Sequence, residues 1–143
     1  MNTEQESNPL KIFNFEDNEQ PVSFVETSQV ADGVECDVYA FDKDNEKDLG
    51  LIRIMPGKKT PLQRVLKGDR TIEGYISGKG KFTLTKPNGE KQITEVDEKT
   101  KRTKKFDVHI GELMQWEADP QSELMAYEIC FPPYQEGRFE NIR

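Results

Sequence analysis

From Leu10 onwards, short stretches rich in Val, Ile, Phe, Tyr and Thr recur along the chain, separated by clusters of Gly, Pro, Asn, Asp and Lys. β-Branched and aromatic residues fit a pleated, half-buried surface, so these stretches predict strands. They fall at residues 10–15, 22–25, 35–41, 50–55, 70–76, 80–85, 91–96, 105–110, 112–116 and 123–131. Few segments sustain a 3.6-residue apolar period, and the most helix-like window, 60–66, is short. Pro87-Asn88-Gly89 predicts a hairpin turn between its flanking strands. Pro56-Gly57 and Ser77-Gly78-Lys79-Gly80 mark further breaks. Many short strands at close spacing predict an all-β sandwich or barrel.

The segment 95–105, EVDEKTKRTKK, turns from acidic to basic within a few residues and reads as an exposed loop or long hairpin tip. Pro132-Pro133 ends the stretch 123–131, which looks like the last strand. In the tail, Tyr134 and Phe139 are expected to dock on the barrel or on a second subunit. Residues 1–8 are polar and expected to fray, leaving 9–143 as a single domain large enough for one core.

Composition narrows the partners. The chain has 143 residues, 34% hydrophobic and 33% charged, with a formal net charge of −7. No broad basic surface can form from it, which argues against nucleic acid. Cys36 and Cys130 both lie in apolar runs and no CxxC occurs, so they read as buried thiols in a reducing compartment. The N-terminus carries no apolar core of a signal peptide, and no run of 18 apolar residues exists. A cytoplasmic protein with no membrane contact is the expectation.

Residues 57–80 carry the most specific pattern. Gly57 is followed by five residues and then Gln63-Arg64-Val65, and Glu73 is followed by six residues and then Gly80. This frame resembles the first motif of the cupin superfamily, in which a Gly precedes His-x-His, and a Glu and a second Gly follow. The gap between Val65 and Glu73 is longer than in the family pattern, and neither His is present. Gly111-Glu112 resembles the opening of the second family motif, and counting forward places Ser122 where the family has its third His. The resemblance implies a double-stranded β-helix, or jelly-roll, barrel. It also implies that Glu73 alone survives of the usual metal-ligand set. Gln63 offers only a weak carbonyl ligand and Val65 offers none, so no metal or other cofactor is expected.

Strand alternation then selects pocket candidates. With Glu73 pointing into the barrel, Thr71, Tyr75 and Ser77 share its face, Gln63 faces the same mouth, and Gly74 leaves a gap on the outer face. Trp116 and Met114 share a strand face and form an apolar or stacking wall. Arg53 and Glu128 each sit in an apolar run, so each is either turned to solvent or buried with a partner. The sharper alternative pairs an inward Arg53 with Glu73 or Glu128. His109, the only histidine, lies outside the motif positions.

Three functions fit these residues. One is a metal-free small-molecule binder, a carbohydrate among its candidate ligands, using Arg53, Gln63, Glu73, Tyr75, Trp116 and Glu128. The second is a metal-independent sugar isomerase or epimerase with Glu73 or His109 as base and Tyr75 as acid. The third is an interaction module whose barrel is filled by side chains. A homodimer is expected in each case. A nonstandard metal site from Glu73, His109 and Glu128 would require the three to converge from different strands.

Overall fold

The computed structural model describes residues 9–142; the tail expected to fray, residues 1–8, lies outside them. Its strands are β1 Ile12–Phe15, β2 Asn18–Ala31, β3 Val34–Phe41, β4 Asp44–Ile54, β5 Gln63–Val65, β6 Arg70–Gly78, β7 Gly80–Thr85, β8 Lys91–Val96, β9 Lys105–Val108, β10 Leu113–Ala118, β11 Leu124–Phe131 and β12 Phe139–Asn141. They form two antiparallel sheets. One has the order β1-β2-β3-β4-β11-β6-β9, the other β12-β5-β10-β7-β8. The two sheets curl face to face as a cupin-type jelly-roll barrel.

The apolar pattern explains the layering. Along β4, Ile52 and Ile54 face the barrel interior, where they pack with Val34, Tyr75 and Leu124 of their own sheet and Phe82, Leu84, Met114 and Trp116 of the other. The alternate residues Leu49 and Leu51 belong to a second cluster with Phe13, Phe15, Tyr39, Ile72, Tyr127 and Ile129. That cluster lies on the outer face of the seven-stranded sheet. There the rings of Phe13 and Phe15 stand edge-on to Tyr127, at 5.1 and 6.4 Å. Part of this sheet is therefore apolar on both faces, which is why β4 reads as a continuous run rather than an alternation. Each fully buried aliphatic or aromatic side chain contributes about 1.5–3 kcal/mol.

Glycines mark two close approaches in this sheet. A Cβ on Gly74 would collide with the ring of Tyr127, its cross-strand partner. The gap expected on the outer face of Gly74 is thus filled by this chain's own tyrosine. A Cβ on Gly50 would meet the Cys36 sulfur inside the barrel.

Several expectations need correction. The helix-like window 60–66 contains strand β5, because Gln63 and Arg64 pair with Met114 and Leu113 of β10. The tail adds β12 after Pro132-Pro133, so the stretch ending at Phe131 is not the last strand. The segment 95–105 is no hairpin tip: β8 and β9 lie in different sheets, and the loop between them crosses over. Strand β2 runs well past Val25, through a polar stretch whose ladder with β3 continues to Ala31 and Val34. By contrast, the Pro87-Asn88-Gly89 turn joins β7 to β8 as expected, with Gly89 at φ 92°.

The β1–β2 turn carries a removable strain. Its two central residues, Glu16 and Asp17, have φ of 54° and 63°. Left-handed backbone costs a non-glycine residue about 1 kcal/mol. Asp17→Gly is expected to stabilise the fold by about 1 kcal/mol, a rise of roughly 3 °C in the melting midpoint. A lower midpoint would show that Asp17 contributes more than its backbone strain costs. Glu16 should stay, since its carboxylate pairs with Lys105 at 3.0 Å.

Candidate ligand-binding pocket

Register places one row of side chains across the inner face of the seven-stranded sheet. Gly50 of β4 pairs with Glu128 of β11, and Glu128 pairs with Glu73 of β6. The next row holds Asp48, Cys130 and Thr71. Above these rows lies a half-open cavity of about 390 Å³. Glu26, Ser28 and Val30 of β2, Cys36 and Val38 of β3, and Asp48, Leu49, Gly50 and Ile52 of β4 form one side. Thr60, Gln63, Glu128, Cys130, Tyr134 and Phe139 complete it.

Glu73 lies beneath this floor and is 2% exposed. Trp116 Nε1 donates to its Oε1 at 2.8 Å, while its Oε2 has no N–H partner. Burial first, and then the neighbouring Glu128, push the Glu73 carboxyl well above its ordinary range. Thr60 fixes the tryptophan, its Oγ1 accepting the Trp116 backbone N–H at 3.0 Å. Asp48 is raised chiefly by burial, although its carboxylate accepts the Tyr134 backbone N–H at 3.0 Å. Burial pushes the Cys36 thiol up to about 12 and the Cys130 thiol higher still, so both remain protonated and weakly nucleophilic.

Of the residues singled out from the sequence, Gln63 and Glu128 line the cavity, and Glu73 and Trp116 lie together beneath it. Three others do neither. Arg53 points to the outer face, where it pairs with Asp37 and, at 2.6 Å, with Glu35. The inward Arg53–Glu73 or Arg53–Glu128 pair is therefore ruled out, because alternation from Ile52 and Ile54 turns residue 53 outward. Tyr75 faces inward, but its hydroxyl lies 2.8 Å from the carbonyl oxygens of both Gly78 and Asp97, anchoring the crossover loop. His109 is 74% exposed and leans on Glu112 at 3.3 Å. Burial alone would raise Glu112, but the His109 backbone N–H and Lys86 outweigh it and hold that carboxyl low.

Sequence reasoning missed the β2 wall, Asp48 and the tail aromatics. The alternation Glu26, Ser28, Val30 was the available signal for the wall. Tyr134 and Phe139 dock back on the barrel of this same chain, with ring centroids 5.9 Å apart at the pocket rim.

The residues present do not fit the metal centre usual for this architecture. Val65 has no donor atom, the Gln63 amide donates to Asn141 Oδ1 at 3.0 Å, and Glu73 is engaged by Trp116. Exposed His109 stands apart from buried Glu73, so Glu73, His109 and Glu128 do not converge. Among the described residues, no group of His, Cys, Asp and Glu side chains has metal-binding geometry.

Comparison with solved structures agrees with the architecture. Oxalate decarboxylase of Bacillus subtilis superposes with a TM-score of 0.67 at 13% identity, over 93% of this chain and 32% of that one. A cupin-2 domain protein of Rhodospirillum rubrum, Rru_A2000, gives 0.61 at 11% identity, over 87% of this chain and 76% of that one. PAC13 of Streptomyces, solved with uridine, gives 0.55 at 13% identity, over 82% and 84%. This chain thus has the cupin fold, and it spans about a third of the length of the decarboxylase. No protein-family model and no curated protein matches the sequence.

Proposed function

We propose that this protein is a metal-free, small-molecule-binding cupin-type barrel. The half-open cavity of about 390 Å³ carries the reading, because its wall mixes apolar side chains with a few convergent polar groups, as ligand sites generally do. Its volume suits a monosaccharide-sized molecule. The similar barrel of PAC13, solved with uridine, supports an occupant of that polarity. The enzyme alternative is weaker, since its acid Tyr75 anchors a loop, and of its two candidate bases His109 lies outside the barrel and Glu73 lies beneath the cavity floor, engaged by Trp116. The filled-barrel alternative suits only the end packed by Trp116, Phe82 and Phe106.

The reading places the protein in the cytoplasm without a nucleic-acid partner, in keeping with its net charge of −7. No helix of the described residues is long and apolar enough to cross a membrane. A homodimer is part of the proposal. Strand β1 pairs with β2 only as far as Pro21, and the edge beyond it exposes Phe24, Val25 and Val30.

Native mass spectrometry of freshly purified protein, compared with its denatured mass, tests this. An organic adduct that Ser28→Trp abolishes is the expected result, because an indole on the exposed β2 wall would occupy the cavity. A stoichiometric first-row metal adduct would overturn the metal-free reading.

A further inference from the structure

The pocket's charge is one-sided. Glu26, Asp48 and Glu128 line it, Glu73 lies against Glu128 below, and no lysine, arginine or histidine is among the lining residues. Cations on neighbouring strands and loops pair away from the cavity. Arg53 is held on the outer face by Glu35 and Asp37, Lys58 by Asp32, and Arg64 by Glu140. The charge of Arg138 reaches Asp48, but its guanidinium donates to the carbonyls of Arg70, Phe131 and Pro132.

Glu73 adds to this charge from beneath the floor. It is an entirely buried carboxyl, and its neighbour across the strand pair is another carboxyl. Glu73 and Glu128 share one hydrogen bond and carry one uncompensated negative charge between them, so the acceptors left facing the cavity are Glu128, met only by the Cys130 thiol at 3.7 Å, and Asp48. A ligand carboxylate or phosphate would only add acceptors and like charge. A neutral polyol would supply donors but would leave the negative charge uncompensated. An ammonium group supplies three donors and the missing charge together.

Resting on the proposal that the cavity binds a small molecule, we propose that its ligand class is a primary amine, such as an amino sugar or an aliphatic diamine. The ammonium lies against Glu128 and Asp48, and Glu26 at the rim steers it in. Ser28, Thr60 and Gln63 meet the ligand's remaining polar groups. Cys36, Val38 and Ile52 meet its carbon skeleton.

Titration calorimetry on the full chain with glucosamine, glucose and glucuronate separates charge from shape, since the three share one ring. Putrescine is added as a second, ring-free amine. Glucosamine or putrescine should bind at least ~10-fold more tightly than glucose, the worth of one charge-assisted hydrogen bond, and glucuronate should not bind. Glu128→Gln should remove most of that preference. Glu26→Gln, at an exposed rim position where folding is not at stake, should weaken amine binding and reduce its salt dependence. Equal or tighter binding of glucose or glucuronate would overturn the amine assignment while leaving the pocket proposal standing. Failure of both amines to bind would also overturn it. The organic adduct sought by native mass spectrometry tests the pocket separately.

Discussion

At about pH 8, the Glu73→Gln variant will be more stable than the parent protein by roughly 2 kcal/mol, and at about pH 4 the two will nearly coincide. Burial, and after it Glu128, raise the Glu73 carboxyl above its ordinary value of 4.5. The folded state therefore holds that proton more tightly than the unfolded chain does. The group's contribution is fully present below 4.5 and is lost as pH rises towards the raised folded value. Gln keeps an oxygen for Trp116 Nε1 and offers an N–H to Glu128, so the packing survives while the titration disappears. Melting midpoints of both proteins across this range check the prediction. A variant less stable at both ends would mean that Glu73 is ionised and satisfied in the fold.

Arg138→Met will cost about 3 kcal/mol, a fall of roughly 10 °C in melting midpoint. Arg138 is 2% exposed and is the rivet of the tail. Its guanidinium donates to Arg70 O at 2.6 Å, Pro132 O and Thr71 Oγ1 at 3.0 Å, and Phe131 O at 3.2 Å. Methionine fills much of the volume but takes a donor from each of those acceptors, leaving Phe131 O with the Asp69 backbone N–H at 2.7 Å. Because β12 follows directly, the loss should also loosen Phe139 and Tyr134 at the pocket rim and weaken ligand binding. Arg138→Lys should recover only part of the stability, since one ammonium cannot span four acceptors in a planar fork. A midpoint within a degree of the parent would show that β12 is held by its pairing with β5 alone.

Glu73 and Arg138 differ in how far the sequence reveals them. Glu73 stood out because its spacing to Gly80 matches a family frame, and alternation then put Tyr75 on the same face. Trp116 was an inward candidate, but nothing in the chain linked it to Glu73, 43 positions away. Arg138 drew no notice. Three of its four partners are backbone carbonyls, and carbonyls carry no sequence signal.

Turn chemistry and strand period are local, and they held where local physics decides. The turn Pro87-Asn88-Gly89 and the strands Gly80–Thr85 and Lys91–Val96 follow from the residues that form them. Alternation says which side chains share a face, but it does not say which face is inside when both are apolar. That is why Arg53 stayed ambiguous within LIRIM until the ladder with Glu35 and Met125 turned it outward. The polar half of β2 shows no hydrophobic alternation because one of its faces borders the pocket and the other borders solvent. The sequence by itself determined an all-β chain, its best turns and the inward carboxyl Glu73. Only the tertiary structure decided that Glu128, Asp48 and the tail aromatics meet around one cavity, because that convergence depends on non-local strand pairing.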